Sequence, residues 1–238
     1  MPHLTFVLIH GGGHGGWCWE SVAGLLRSRG HTVHAPTLIG LAERARELHP
    51  GINLETHIDE VAVLLRALPE PVILAGHSYG GLVITGAADR APEKVRWLAY
   101  VDAPVPHNGE ALTDISAGLQ VLAEDVVEVD GVPLGLWPDE RAMAIYGLSG
   151  AQADAAMERL TPHPWACFTQ PLHLADPERV ARLPHAMLNC TATLAHRPAP
   201  FRQRLREGAI VQEIDAPHDV MLTDPEAVAA FLLRLARE

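Results

Sequence analysis

The sequence predicts an α/β fold, a mostly parallel sheet with helices on both faces and an insertion near its middle. Three observations carry that reading. Short apolar runs alternate with helical patterns, which is how parallel strands joined by crossover helices look in sequence. The run Val72-Ile73-Leu74-Ala75 passes through Gly76-His77-Ser78-Tyr79-Gly80-Gly81 straight into a helical pattern. The alternation then stops between about 105 and 184, where Pro106, Pro133, Pro138, Pro162, Pro164, Pro171 and Pro177 punctuate short pieces.

Taken in order, strands are expected near 5–10, 31–35, 71–76, 95–102, 186–192 and 209–214, and helices near 17–29, 54–68, 79–91 and 225–237. Residues 1–104 and 185–238 then form the core, and 105–184 an inserted cap. Within the cap, 140–147 and 151–160 read as short helices. The segment Val126 to Val132 reads as a hairpin turning at Asp130-Gly131, because both central residues of such a turn need positive φ. An irregular connection of this length without structure of its own would be unusual.

The turn around Ser78 has the form G-x-S-x-G between a strand and a helix, a nucleophile elbow. Small residues are needed on both sides of the serine because the turn is tight. The competing reading is a glycine-rich turn with a serine cap on the following helix. Two other segments favour the elbow. The first strand ends in His10-Gly11-Gly12-Gly13-His14-Gly15-Gly16, a loop able to bring a bare N–H beside the serine. Acyl transfer needs two donors aimed at the developing oxyanion, and the assigned pair is the N–H of Gly12 and that of Tyr79. Gly11, Gly13 and Gly16 also form G-x-G-x-x-G, but the dinucleotide reading lacks an acidic ribose ligand after Thr32-Val33-His34-Ala35-Pro36. The second segment is Ile214-Asp215-Ala216-Pro217-His218, where a histidine follows the last strand. Among 14 histidines, the position of His218 singles it out as the base, and serine before histidine is the usual order of the elbow fold.

These stretches, with Phe6 to Trp19, Val72 to Leu82, Cys190-Thr191 and Ile214 to Glu226, resemble the α/β-hydrolase superfamily. Within it they resemble the plant methyl-ester hydrolase and hydroxynitrile lyase group and its bacterial esterase-like relatives. The resemblance implies a Ser-His-acid triad. It also fails at one point: in that group the acid directly follows the cysteine-threonine pair, whereas here Ala192-Thr193-Leu194 follows and no carboxylate occurs between Glu178 and Glu207. Some α/β-hydrolases carry the acid at the end of the strand after the elbow helix, which here is Asp102. Asp215 and a Ser78-His218 dyad are the alternatives, and Asp219 competes least well because adjacent side chains rarely point so that a carboxylate can meet its neighbour's Nδ1.

Composition bounds the partners. The formal net charge is −11 and Lys94 is the only lysine, so nucleic acid and anionic membrane surfaces are disfavoured. Met1-Pro2-His3 leads directly into the first strand, without a targeting or spanning segment. Three widely spaced cysteines, Cys18, Cys167 and Cys190, suit a reducing cytoplasm. No metal-ligand spacing or cofactor signature is present, and a homodimer is left open. The cap supplies apolar and aromatic residues, of which Trp165 and Phe168 are the candidates to face substrate.

The expected activity is hydrolysis of a small, mainly uncharged ester, lactone or thioester by a serine hydrolase working through an acyl-enzyme, without cofactor. The rivals are a hydroxynitrile lyase, an acyl transferase or cyclase using the same residues, and a non-turnover ligand receptor. In the resembling lyases a threonine follows the first histidine and a lysine follows the last. Gly11 and Asp219 stand at those positions here, which disfavours the lyase.

Overall fold

The computed structural model describes residues 3–237, so Met1 and Pro2 of the expected leaderless start lie outside it. Its strands are β1 (Thr5–Ile9), β2 (Thr32–His34), β3 (Val72–His77), β4 (Val95–Val101), β5 (Val127–Val129), β6 (Val132–Gly135), β7 (His163–Pro164), β8 (His185–Cys190) and β9 (Ile210–Ile214). Six of them form one sheet in the order β2-β1-β3-β4-β8-β9, and every pairing within it is parallel. Parallel strands with helices on both sides are apolar throughout rather than alternating. All six residues of β3 are accordingly buried.

The order places the site. From β1 the chain crosses outward to β2 through α1 (Glu20–Arg27), then returns past β1 to β3 through α2 (Leu54–Ala67). Right-handed crossovers in opposite directions put α1 and α2 on opposite faces. The direction changes between β1 and β3, and the crevice beyond the carboxyl ends of strands at such a switch is where open α/β sheets bind ligands. The Gly11–Gly13 loop leaves β1 there, and Ser78 leaves β3. Helix α3 (Gly80–Arg90) follows the elbow, and its residues Gly80 to Asp89 are all buried.

Residues 105–184 fold into short helices and a second, antiparallel sheet, β5-β6-β7. The β5–β6 hairpin turns at Asp130 (φ 50°) and Gly131 (φ 79°). Helix Glu140–Tyr146 closes on Gly147 in the left-handed conformation. The end of this segment is tied to the core by Asp89, buried on α3, whose carboxylate accepts the N–H groups of Ala175 (2.7 Å) and Asp176 (2.9 Å). Among the described residues no helix is long and apolar enough to cross a membrane.

Candidate active site

Strand β3 delivers Ser78 in a left-handed backbone conformation, φ 49°. For a residue with a Cβ this is costly, and tight packing around the turn holds it. A Cβ on Gly76 would lie 2.5 Å from the Gly80 carbonyl oxygen, and one on Gly80 would lie 2.8 Å from that of Ile9. Only hydrogen fits at either place, so the two glycines of the motif are required by backbone contact.

Ser78 Oγ lies 3.0 Å from His218 Nε2, and His218 Nδ1 lies 2.5 Å from Asp102 Oδ2. Asp102 sits at the end of β4, itself at φ 44°. It is buried and heavily supported. Oδ1 accepts the Cys190 N–H at 3.2 Å, the Thr193 hydroxyl donates at 2.7 Å, and the Arg197 guanidinium stands 3.5 Å from Oδ1. Burial alone would raise this carboxyl, but His218, Arg197 and Thr193 together hold it down at about 2. Asp215 is elsewhere, accepting from Thr191 Oγ1 at 3.2 Å. Asp219 turns away from His218 to meet His14 Nε2 at 2.9 Å.

The loop after β1 can be accounted for group by group. The Gly11 carbonyl accepts from His10 Nδ1 at 2.9 Å, and His10 Nε2 accepts the Leu38 N–H at 3.0 Å. Burial pushes His10 down to about 3, so the ring is neutral with its proton on Nδ1. The Gly12 carbonyl accepts from His14 Nδ1 at 2.8 Å and from the Tyr146 hydroxyl at 3.1 Å. The Gly13 N–H donates to His163 Nδ1 at 3.1 Å, and the Gly13 carbonyl accepts the Thr161 N–H at 3.0 Å. The Gly12 N–H has no protein partner among the described residues, and neither has the Tyr79 N–H. Since buried backbone groups are almost always paired, two free donors beside one serine are the signature of a place for an anionic oxygen.

Ser78, Gly12, Tyr79 and His218 open into a cavity of about 470 Å³. Its far wall is apolar and comes largely from 105–184: Leu112, Ile115, Leu119, Leu136, Ile145 and Phe168. Of the two aromatic residues singled out in the sequence, Phe168 lines this cavity. Trp165 does not line this cavity. Its ring packs edge-on behind Phe168, 5.5 Å between centroids, and over Gly135, where a Cβ would lie 2.5 Å away.

His57, His163 and Cys167 approach one another in the interior. The set does not fit a metal. His163 Nδ1 accepts from Gly13, so its Nε2 carries the proton and has no lone pair to offer. His57 Nδ1 faces the Tyr79 hydroxyl at 2.9 Å, and burial pushes the Cys167 thiol up to about 12.

Three features escaped the sequence reading. Thr193 was visible only as part of a stretch without carboxylates, yet its hydroxyl donates to the Asp102 carboxylate. Arg197, in the following turn, has no local signal. The His14–Asp219 pair joins residues 205 apart, which no spacing rule links.

A parallel sheet with a strained serine at its switch point, a histidine after the last strand and paired free N–H groups defines the class of α/β hydrolases. The chain belongs to the alpha/beta hydrolase family, whose sequence model matches residues 6–231. Over 255 aligned residues it is 34% identical to a carbendazim hydrolyzing esterase of Nocardioides sp. (strain SG-4G), covering 97% of this chain and 99% of that one. Polyneuridine aldehyde esterase of Rauvolfia serpentina is 27% identical over 252 residues, 97% of this chain and 95% of its own. An extracellular α/β-hydrolase from a Paenibacillus species superposes with a TM-score of 0.82 at 24% identity, covering 99% and 100% of the two chains. The protein is therefore an esterase-type α/β hydrolase.

Proposed function

We propose that this chain hydrolyses a small, mainly uncharged carboxylic ester, or a related lactone or thioester, through an acyl-enzyme on Ser78. The observation that carries the proposal is the unbroken Asp102–His218–Ser78 hydrogen-bonded line ending beside the two free N–H groups. Ser78 Oγ attacks the carbonyl carbon as its proton passes to His218 Nε2. Asp102 holds the ring with its other proton on Nδ1 and stabilises the imidazolium. The carbonyl oxygen becomes an oxyanion accepting from Gly12 and Tyr79. When the tetrahedral centre collapses, the bond to the alcohol oxygen breaks and the proton on His218 leaves with it. Water then attacks the acyl carbon with His218 again as base, releasing the acid and regenerating the serine.

The segment 105–184 acts as the cap that shapes this cavity. Its apolar side chains favour an uncharged acyl or aromatic group, because an unpaired charge buried there would lose its hydration. A cavity of about 470 Å³ falls in the range of sites for small ligands.

Activated short-chain esters such as p-nitrophenyl acetate and butyrate test the reading. The protein should hydrolyse them, and a fluorophosphonate should label a single residue, Ser78. Ser78→Ala should lose both. Hydrolysis surviving at the wild-type rate in that variant would overturn the assignment.

A further inference from the structure

Beside the catalytic line lies a second carboxylate–imidazole pair, and it starts one residue away. His218 faces the nucleophile while Asp219 faces the loop after β1. Asp219 Oδ2 meets His14 Nε2 at 2.9 Å, and both side chains are fully buried. His14 Nδ1 in turn meets the Gly12 carbonyl at 2.8 Å. A backbone carbonyl can only accept, so Nδ1 carries a proton, and a carboxylate on Nε2 favours a proton there as well. Burial alone would lower His14, but the Asp219 charge outweighs it and the ring is raised above its ordinary value. Asp219 correspondingly lies below its own.

The Gly12 carbonyl belongs to the peptide that follows the free Gly12 N–H. Both of its lone pairs are taken, by His14 and by Tyr146, and the N–H of the same peptide is held by His163. With this peptide plane fixed on one side and the Gly11 carbonyl fixed by His10 on the other, the direction of the Gly12 N–H is determined. Tyr146 closes the circuit, because its backbone carbonyl accepts the Asp219 N–H at 3.0 Å. The loop carrying the base, the loop carrying the donor and the helix Glu140–Tyr146 are thereby joined through one buried ion pair and one tyrosine.

We propose that Asp219 and His14 are positioning residues that aim the Gly12 N–H at the oxyanion, linking that donor to the loop bearing the base. The proposal rests on the reading of Ser78, His218 and Gly12 above. Such a device contributes only once negative charge has developed on the substrate oxygen. It therefore acts on the transition state and not on ground-state binding.

The test uses Asp219→Asn and His14→Gln, with Tyr146→Phe as a milder variant that leaves the ion pair intact. Each is measured for kcat and KM on p-nitrophenyl butyrate, for inhibition by an alkyl trifluoromethyl ketone that forms a tetrahedral adduct, and for inhibition by an inert alkyl amide. In Asp219→Asn and His14→Gln, kcat should fall about 10²-fold, the size expected for losing one oxyanion donor. KM and amide affinity should stay within about threefold, and ketone affinity should weaken in parallel with kcat. Tyr146→Phe should show the same pattern at about tenfold. The double variant Asp219→Asn/His14→Gln should be no worse than the weaker single one, as for residues acting as a unit. A kcat within threefold of wild type in a folded variant would overturn the proposal, and so would an equal loss of amide and ketone affinity. If neither pair variant folds, Tyr146→Phe decides by the same two criteria. Wild-type protein without Ser78 labelling would instead signal failure of the underlying reading.

Discussion

Asp102 shows most clearly how a residue's neighbours set its chemistry. Its carboxylate reaches His218 from β4, and Thr193, the Cys190 N–H and Arg197 occupy its other directions. Asp102→Asn should keep the fold and lose on the order of 10²–10⁴ in kcat, because an amide neither stabilises the imidazolium nor selects the right tautomer. Circular dichroism and steady-state kinetics on the purified variant check both halves. Asp215→Asn should stay near wild type, since the Asp215 carboxylate accepts from Thr191 and makes no hydrogen bond to His218. Sequence could offer Asp102 because strand ends gather at one edge of a parallel sheet. It could not exclude Asp215, because the direction of a side chain in a turn is set by contacts from other segments.

Among the elements, the elbow and the loop after β1 were the most legible, since each advertises itself through glycines whose Cβ would collide with backbone or with the cavity wall. The strands of the main sheet lie within two residues of their expected places, for the same reason: buried parallel strands leave uninterrupted apolar runs. The segment 105–184 was legible as an interruption of the strand-helix alternation and at its Asp130-Gly131 turn. The choice between Trp165 and Phe168 was not, as both are large aromatics three residues apart, one capping and one within the short helix Ala166–Thr169, and the packing of Trp165 over Gly135 separates them. Gly12 links the two kinds of element. A Cβ there would lie 2.8 Å from Leu136 Cδ2 and 3.0 Å from Phe168 Cζ, so Gly12→Val would press the loop against the cavity wall. Turnover of that variant should fall by at least about 10²-fold, near 3 kcal/mol, while its melting temperature falls little. Normal turnover would show that the loop only spans the gap after β1.

For the whole molecule, the buried histidines set the response to acid. Burial holds His10 and His77 at about 3 and His57 at about 4, against 6.5 for an ordinary ring. The unfolded chain takes up these protons below about pH 6.5, whereas the folded chain refuses them until far lower. The stability they contribute is thus complete above pH 6.5 and is lost progressively as pH falls toward 3. At pH 5 each ring costs about 2 kcal/mol, which for the three approaches the whole stability of a typical domain. Burial lowers His163, His31 and His185 as well, which adds to the same loss, whereas His14, raised by Asp219, works in the opposite sense. The melting temperature should drop by about 10–20 °C between pH 7.5 and pH 5. Scanning calorimetry across that range checks this, and a flat profile would mean that these rings are already hydrated or charged in the folded state.

The acyl-enzyme itself is the most direct test of the catalytic account. Rapid mixing with p-nitrophenyl butyrate, followed by acid quench and peptide mass mapping, should show a stoichiometric burst of nitrophenol and a butyryl adduct on the peptide containing Ser78. An adduct on another residue, or steady turnover by the Ser78→Ala protein, would contradict it.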